Sequence, residues 1–362
     1  MPSRPLTDLA EEAVDPADAR LQLRALRRKL TNSDSLNETL LGRLEESNRK
    51  LELMLGLGNF QEPPKIKPRK IVKGKKYQAA AVAIASDWHI EERVDPKTIN
   101  HLNEYNPTIA RASAHNFFEG IRWALRLLSD GPECYQIDKL VLWLGGDLIT
   151  GYIHEELVES NFLSPTEAIL LAQEFISDGI YYILEHTDVS IDIVCNYGNH
   201  GRTTPYRRIS TGAANSFEWL LYHMLARSFA REERVKFSIA DGSISYVEVM
   251  DHLIRFHHGD DVRYQGGVGG ITIPLRKAVD AWNEERKADI TVIGHYHQWI
   301  GDHHDMVVNG SLIGYNAYAQ SIKARRQDPR QGLFLVDPER GKRFTIPLVV
   351  REAMPQPKKR AA

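Results

Sequence analysis

Cysteine is nearly absent, with only Cys134 and Cys195 in 362 residues. Two thiols cannot build a disulfide framework, and Cys195, inside the apolar run VSIDIVCNYG, reads as an ordinary buried free thiol. Long apolar runs are also missing. No stretch approaches the roughly 20 residues that cross a bilayer, and the segment MPSRPLTDLAEEAVDPAD has no apolar signal core. The expectation is a reducing, cytoplasmic setting without a membrane. Charge of one sign is scarce as well: 46 basic against 48 acidic residues leave a formal charge of -2. Global attraction to polyanions is therefore excluded, and any charge argument must be local.

What the chain does have falls into zones. Residues 1–18 read as a disordered N-terminus. Over 19–57, Leu23, Leu26, Leu30, Leu40, Leu44, Leu51 and Met54 recur at steps of three and four, the spacing of a helix or coiled-coil seam. Ser33, Asn37 and Ser47 share that register, and SLNE at 35–38 resembles a capping box, so a helical hairpin is the alternative. Such an arm suits self-association or protein docking; packing on the protein's own core is the plainer reading. Residues 58–78 carry Lys65, Lys67, Arg69, Lys70, Lys73, Lys75 and Lys76 among prolines. This reads as an extended basic linker, either a solvated tether or a holder of phosphate backbones. Residues 351–362 form a basic tail.

Between residues 79 and 350 short apolar runs alternate with amphipathic stretches, predicting an α/β layered domain. The expected strands are AAAVAIAS, DKLVLWLG, SIDIVCNY, SISYVEVM, LIRFHH, DITVIG, MVVNG, GLFLVD and TIPLVV. The expected helices lie in SAHNFFEGIRWALRLLS, SPTEAILLAQEFISDGIYYILEHT and ANSFEWLLYHMLARSFAREE.

Five of the strands release polar groups as they end. Asp87 and His89 follow AVAIAS, Asp147 follows LWLGG, and Asn199 and His200 follow CNYG. His257 and His258 end LIRF, and His295 and His297 follow TVIG. In an α/β sheet the carboxyl ends of strands face one crevice, so groups distant in sequence can meet there. Asp-x-His and His-x-His fit the two-residue period of extended chain. Alone, each residue has an ordinary explanation as a cap, a turn former or a satisfied core histidine. Together they have the composition of a metal site.

The ordered set D-x-H, G-D, G-N-H, H-G and G-H-x-H resembles the calcineurin-like metallophosphoesterases, whose members include nucleases and the phosphoprotein phosphatases. The resemblance spans about residues 79–314. It implies an α/β/β/α sandwich in which Asp87, His89 and His297 bind one cation, Asn199, His258 and His295 a second, and Asp147 bridges both. His258 is preferred to His257 because it directly precedes glycine. The resemblance also assigns His200 to leaving-group protonation or transition-state charge, and Arg202 is the candidate for gripping phosphate. Imidazole, carboxylate and amide donors suit manganese first, with iron, zinc or cobalt as alternatives.

The activity implied is two-metal hydrolysis of a phosphate ester by a bridging hydroxide, with nucleic-acid phosphodiesters as expected substrate. Phosphomonoesters or phosphoproteins are the alternative substrates, and a non-catalytic scaffold is the alternative class. One position departs from the pattern. Many members carry an acid after G-N-H, where this chain has Gly201, so that carboxylate must come from elsewhere. Glu155, Glu156 and Asp260 are the candidates.

Overall fold

In a computed structural model, the structure describes residues 16–58, 76–130, 134–264 and 270–351, for 16 and 53–58 the backbone alone. Most of the basic linker, the basic tail and the start of the chain lie outside these residues. The chain divides into two units, residues 1–70 and 71–362.

Among the described residues the first unit is one helix, α1 (Pro16–Gly58). The hairpin alternative is thereby corrected: Thr31 and Thr39 hydroxyls bond the carbonyls four residues back, and the helix runs unbroken through Ser35–Glu38. With a good helix former at most positions, one SLNE tetrapeptide does not force a stop. Its seam leucines are exposed.

The second unit is a layered α/β/β/α sandwich. Strands β1 (Tyr77–Ala85), β2 (Tyr135–Leu144), β3 (Ser190–Cys195) and β4 (Val235–Ile239) run parallel. Strands β9 (Arg330–Asp337) and β10 (Gly341–Val349) extend this sheet, in the order β10-β9-β1-β2-β3-β4. A second sheet has the order β5-β6-β7-β8, built from β5 (Ile244–Val249), β6 (His252–His257), β7 (Ile290–Ile293) and β8 (Met306–Val308). All nine expected strands are present. The tenth, β4, is short with alternating burial, a weak signal in VKFSI.

Strand β1 shows why two layers flank its sheet. Its odd positions Ala79, Ala81, Ala83 and Ala85 join the core beneath the helices, whereas Ala80, Val82 and Ile84 join the core between the sheets. Period-2 alternation with both faces apolar buries the strand twice. The first core is capped by α2 (Pro107–Ser129), α4 (Pro165–His186) and α5 (Phe217–Ser228). Helix α4 starts at a full capping box, Ser164 with Glu167, and Pro165 at its first position. On the outer face of the second sheet, Leu275 and Val279 of α6 (Thr272–Glu285) pack on Ile293, Met306 and Val308. Two short helices, α3 (Glu155–Ser160) and α7 (Ala317–Ser321), lie in connections. Parallel strands β1, β2, β3, β6 and β7 therefore end at one rim.

Candidate metal centre

That rim gathers the predicted residues. Three overlapping groups of donor atoms, each within 4.8 Å of one another, are Asp87–His89–His297, His89–Asp147–His200 and Asp147–His258–His295. Asp147 belongs to two of them. The loops are laced by backbone bonds: the amides of Trp88 and His89 donate to the Asp147 carbonyl, at 2.8 and 3.1 Å, and the amide of Gly294 donates to His258.

The local geometry differs from the extended segments expected for Asp-x-His and His-x-His. Strand β1 ends at Ala85, and Asp87, His89, Asp147, His295 and His297 all have φ between 50° and 70°. They are five of the ten non-glycine residues with positive φ among those described. Left-handed backbone costs of order 1–3 kcal/mol per residue. The two-residue spacing converges because alternating residues bend around the site, with no strand involved.

Hydrogen bonds fix the donors. The Nδ1–H of His258 donates to the Gly145 carbonyl at 2.7 Å, which aims Nε2 at Asp147 Oδ2, 2.9 Å away. His257 turns the other way, bonding Asp261 at 3.0 Å against the ring of Trp282. The last strand residue and its successor face opposite sides, and His258 is the one brought into the group. The His295 amide donates to both Asp87 oxygens, at 2.9 and 3.1 Å. His200 Nδ1–H donates to the Thr150 carbonyl at 2.9 Å and its amide to Asp147 Oδ1 at 2.8 Å. Its Nε2 is left toward the cage.

Electrostatics separate the imidazoles. Burial, then His200 and His297, hold His89 well below the ordinary histidine value, and burial with His258 lowers His295 to about 4. Burial opposes ionisation of Asp147, but the facing His258 and His200 outweigh it and hold its carboxyl well below the usual range. Burial also works against His297, and its bond to Asp87 more than compensates.

These residues fit divalent cations. Asn199 Oδ1 is buried without a hydrogen-bond partner among the described residues. The Nε2 atoms of His89 and His297 lie 3.2 Å apart, so both rings reach one point. Imidazoles, a carboxylate shared by two groups and an orphan amide oxygen form a coherent donor set once the rings give up their protons to a cation.

Arg202 lines the cleft beside Asn199. Its guanidinium donates to the carbonyls of Asn199 (2.8 Å), Thr204 and Pro205, so it braces the Asn199 segment. Arg207 is paired with Asp260 and Asp261. Arg208 is exposed at the mouth of the cleft beside Asn199.

Three buried groups were not anticipated. Thr150 bonds both His89, through its hydroxyl at 3.1 Å, and His200, through its carbonyl. Glu91 accepts the amides of Thr150 and Gly151, both at 2.8 Å, and burial pushes its carboxyl up to about 8. Glu218 accepts the amides of Leu148 and Gly198. Glu91 is two residues past His89 in HIEE, which was the available signal; Glu218 gave none. Of the acids proposed to replace the one missing at Gly201, Glu155 and Glu156 are exposed on α3, and Asp260 is paired with Arg207.

No family model and no curated protein matches the chain. Among solved structures, a predicted phosphoesterase from Streptococcus pneumoniae is similar at 13% identity over 72% of this chain and 84% of that one, with a TM-score of 0.29. Vps29 from Chaetomium thermophilum is similar at 13% identity over 71% and 84%, with a TM-score of 0.30. The sulfate thiohydrolase SoxB from Thermus thermophilus is similar at 11% identity over 78% and 59%, with a TM-score of 0.29. Such remote likeness adds nothing to the chemistry, which comes from this chain's own side chains. The layered α/β/β/α fold implied by the five motifs is present, with every motif at the expected strand end.

Proposed function

We propose that the chain is a two-metal hydrolase of phosphate esters and that its substrates are nucleic-acid phosphodiesters. The observation that carries the hydrolase reading is the convergence of Asp87, His89, Asp147, His258, His295 and His297, with Asn199 Oδ1, on the loop after β3, buried and unpartnered among the described residues. Asp87, His89 and His297 would hold one divalent cation, Asn199, His258 and His295 the other, with Asp147 between. Cations held there supply positive charge to the phosphoryl oxygens and lower the pKa of water. His200, oriented by Thr150, presents Nε2 to protonate the leaving oxygen, a transfer worth about 10²–10⁴-fold. Its 88° crossing with the His89 ring keeps it beside the cage.

The nucleic-acid reading is supported by the basic run Lys65–Lys76 and by Arg208 and Tyr206, exposed in the segment after Asn199 and His200. A cation beside an aromatic ring suits phosphate and base stacking. The test is a panel of mono-aryl and bis-aryl phosphates and DNA and RNA strands, with manganese, comparing wild type and His200→Ala. The expected result is cleavage of diesters and of a nucleic acid, with the variant 10²–10⁴-fold slower and its metal content unchanged. Cleavage of monoesters alone sinks the nuclease reading, and no retained metal with no hydrolysis of any ester sinks the enzyme reading.

A further inference from the structure

We propose that Glu218 is a positioning residue for the metal centre, standing in for the acid that Gly201 lacks; this rests on the two-metal reading. Its side chain is fully buried at the start of α5. One carboxylate oxygen accepts the amide of Leu148 at 2.6 Å, the other the amide of Gly198 at 2.7 Å. Leu148 follows Asp147, and Gly198 precedes Asn199. A single carboxylate thus ties the loop after β2 to the loop after β3, next to the donor each supplies.

The glycines show how closely this is built. A Cβ at Gly198 would lie 2.1 Å from Asp147 Oδ1, and one at Gly146 would lie 2.2 Å from the Gly198 nitrogen. A Cβ at Gly201 would lie 2.7 Å from Glu218 Cγ. Glycine at 201 therefore makes room for an acid arriving from α5, and the two positions form one exchange. The carboxylate touches backbone only, so it acts through Asp147 and Asn199.

Glu218→Gln keeps the shape but turns an NH2 against one of the two amides. Calorimetric titration of the full chain with Mn²⁺ is expected to show affinity about 10–100-fold weaker than wild type, the range for outer partners of metal ligands. Melting in chelator should change less than the increment that Mn²⁺ adds. Glu218→Ala combined with Gly201→Asp is expected to regain part of the lost affinity, because the new carboxylate enters the vacated space. Wild-type affinity in Glu218→Gln, or no rescue by the pair, overturns the positioning role while leaving the hydrolase reading intact. A wild type that binds no divalent cation overturns both.

A separate observation on α1 leads to a second inference: the geometry points to a parallel two-stranded coiled coil with a second copy of this chain. With Leu23 at an a position, Leu30, Asn37, Leu44 and Leu51 are also a, and Leu26, Ser33, Leu40 and Ser47 are d. The six leucines are 52–65% exposed in the single chain. In the parallel register Lys29 at g faces Asp34 of the second copy at e, Leu36 faces its Leu41, and the two Asn37 meet. The opposite charges of Lys29 and Asp34 and the a-position Asn37 favour the parallel dimer, and Asn37, Ser33 and Ser47 lower its stability. Leu36 and Leu41 cover that asparagine layer.

Sedimentation of the full chain should give twice the 41.2 kDa mass, and Leu30→Asp with Leu44→Asp should give one. Leu26→Cys should cross-link to a covalent dimer on mild oxidation, the native cysteines being buried. An antiparallel pair would hold Leu26 far from its counterpart. A monomeric wild type, a dimer that survives both aspartates, or a dimeric Leu26→Cys chain that does not cross-link overturns the proposal.

Discussion

Five predicted ligand positions adopt left-handed backbone although none is glycine, and each costs free energy that the surroundings must offset. The surroundings are close-packed peptide: Gly198 lies so near Asp147 that a methyl group cannot fit. Gly198→Ala is accordingly expected to displace the Asp147 carboxylate and cut bound metal at least tenfold, measured by elemental analysis after gel filtration. Metal content equal to wild type would show that the loop yields. Away from the site, Glu119 accepts from Arg122 and Tyr182, which hold its carboxyl down at about 2. A depressed acid contributes stability above its unfolded pKa, 4.5 here, and loses it as pH falls toward 2. Glu119→Gln should therefore lower the Tm by about 1–2 °C at pH 7, the small effect expected at a surface. The difference from wild type should shrink between pH 4.5 and 2; a constant difference in scanning calorimetry would remove the ionised carboxylate as its cause.

At the scale of elements, the two sheets meet through a thin layer in which Trp143 of β2 packs on Phe256 of β6, ring centroids 5.7 Å apart. Its indole N–H donates to Asn196 at 2.9 Å, and Gly145 has no side chain because the ring lies where a Cβ would go. Trp143→Ala removes packing and strands the Asn196 oxygen, with an expected loss of about 3–5 kcal/mol. Urea denaturation read by far-UV circular dichroism checks this; a loss below 1 kcal/mol would mean that the sheets are held mainly elsewhere. Both the strands ending at the site and their polar ends were legible in the sequence, because runs of 4–10 residues stop abruptly at polar groups. Helix α6 was not, since TIPLRKAVDAWNEE buries only Leu275 and Val279 and carries a proline near its start. Nor was the continuity of α1, where a local capping pattern competed with a longer period.

Across the second unit, the predicted ligands come from loops after five strands of two sheets, spanning positions 87 to 297. A cation joining them binds the folded state only, so it stabilises by mass action. Chelator is expected to lower the Tm by several degrees and added Mn²⁺ to restore it, with about 2.7 kcal/mol at a hundredfold excess over Kd. An unchanged Tm in differential scanning calorimetry would contradict the cage. Among the described residues no helix is long and apolar enough to cross a membrane.

By itself the sequence determined the layered α/β class, nine of the strands and the polar groups released at their ends, because hydrophobic period and residue chemistry are local properties of the chain. The choice of His258 over His257, the diversion of Arg202 and Arg207 to carbonyls and carboxylates, and the arrival of Glu218 over Gly201 were decided by tertiary structure. Those outcomes depend on which backbone amides, carbonyls and charges lie within about 3 Å once distant segments pack, and neighbours along the chain do not encode that distance.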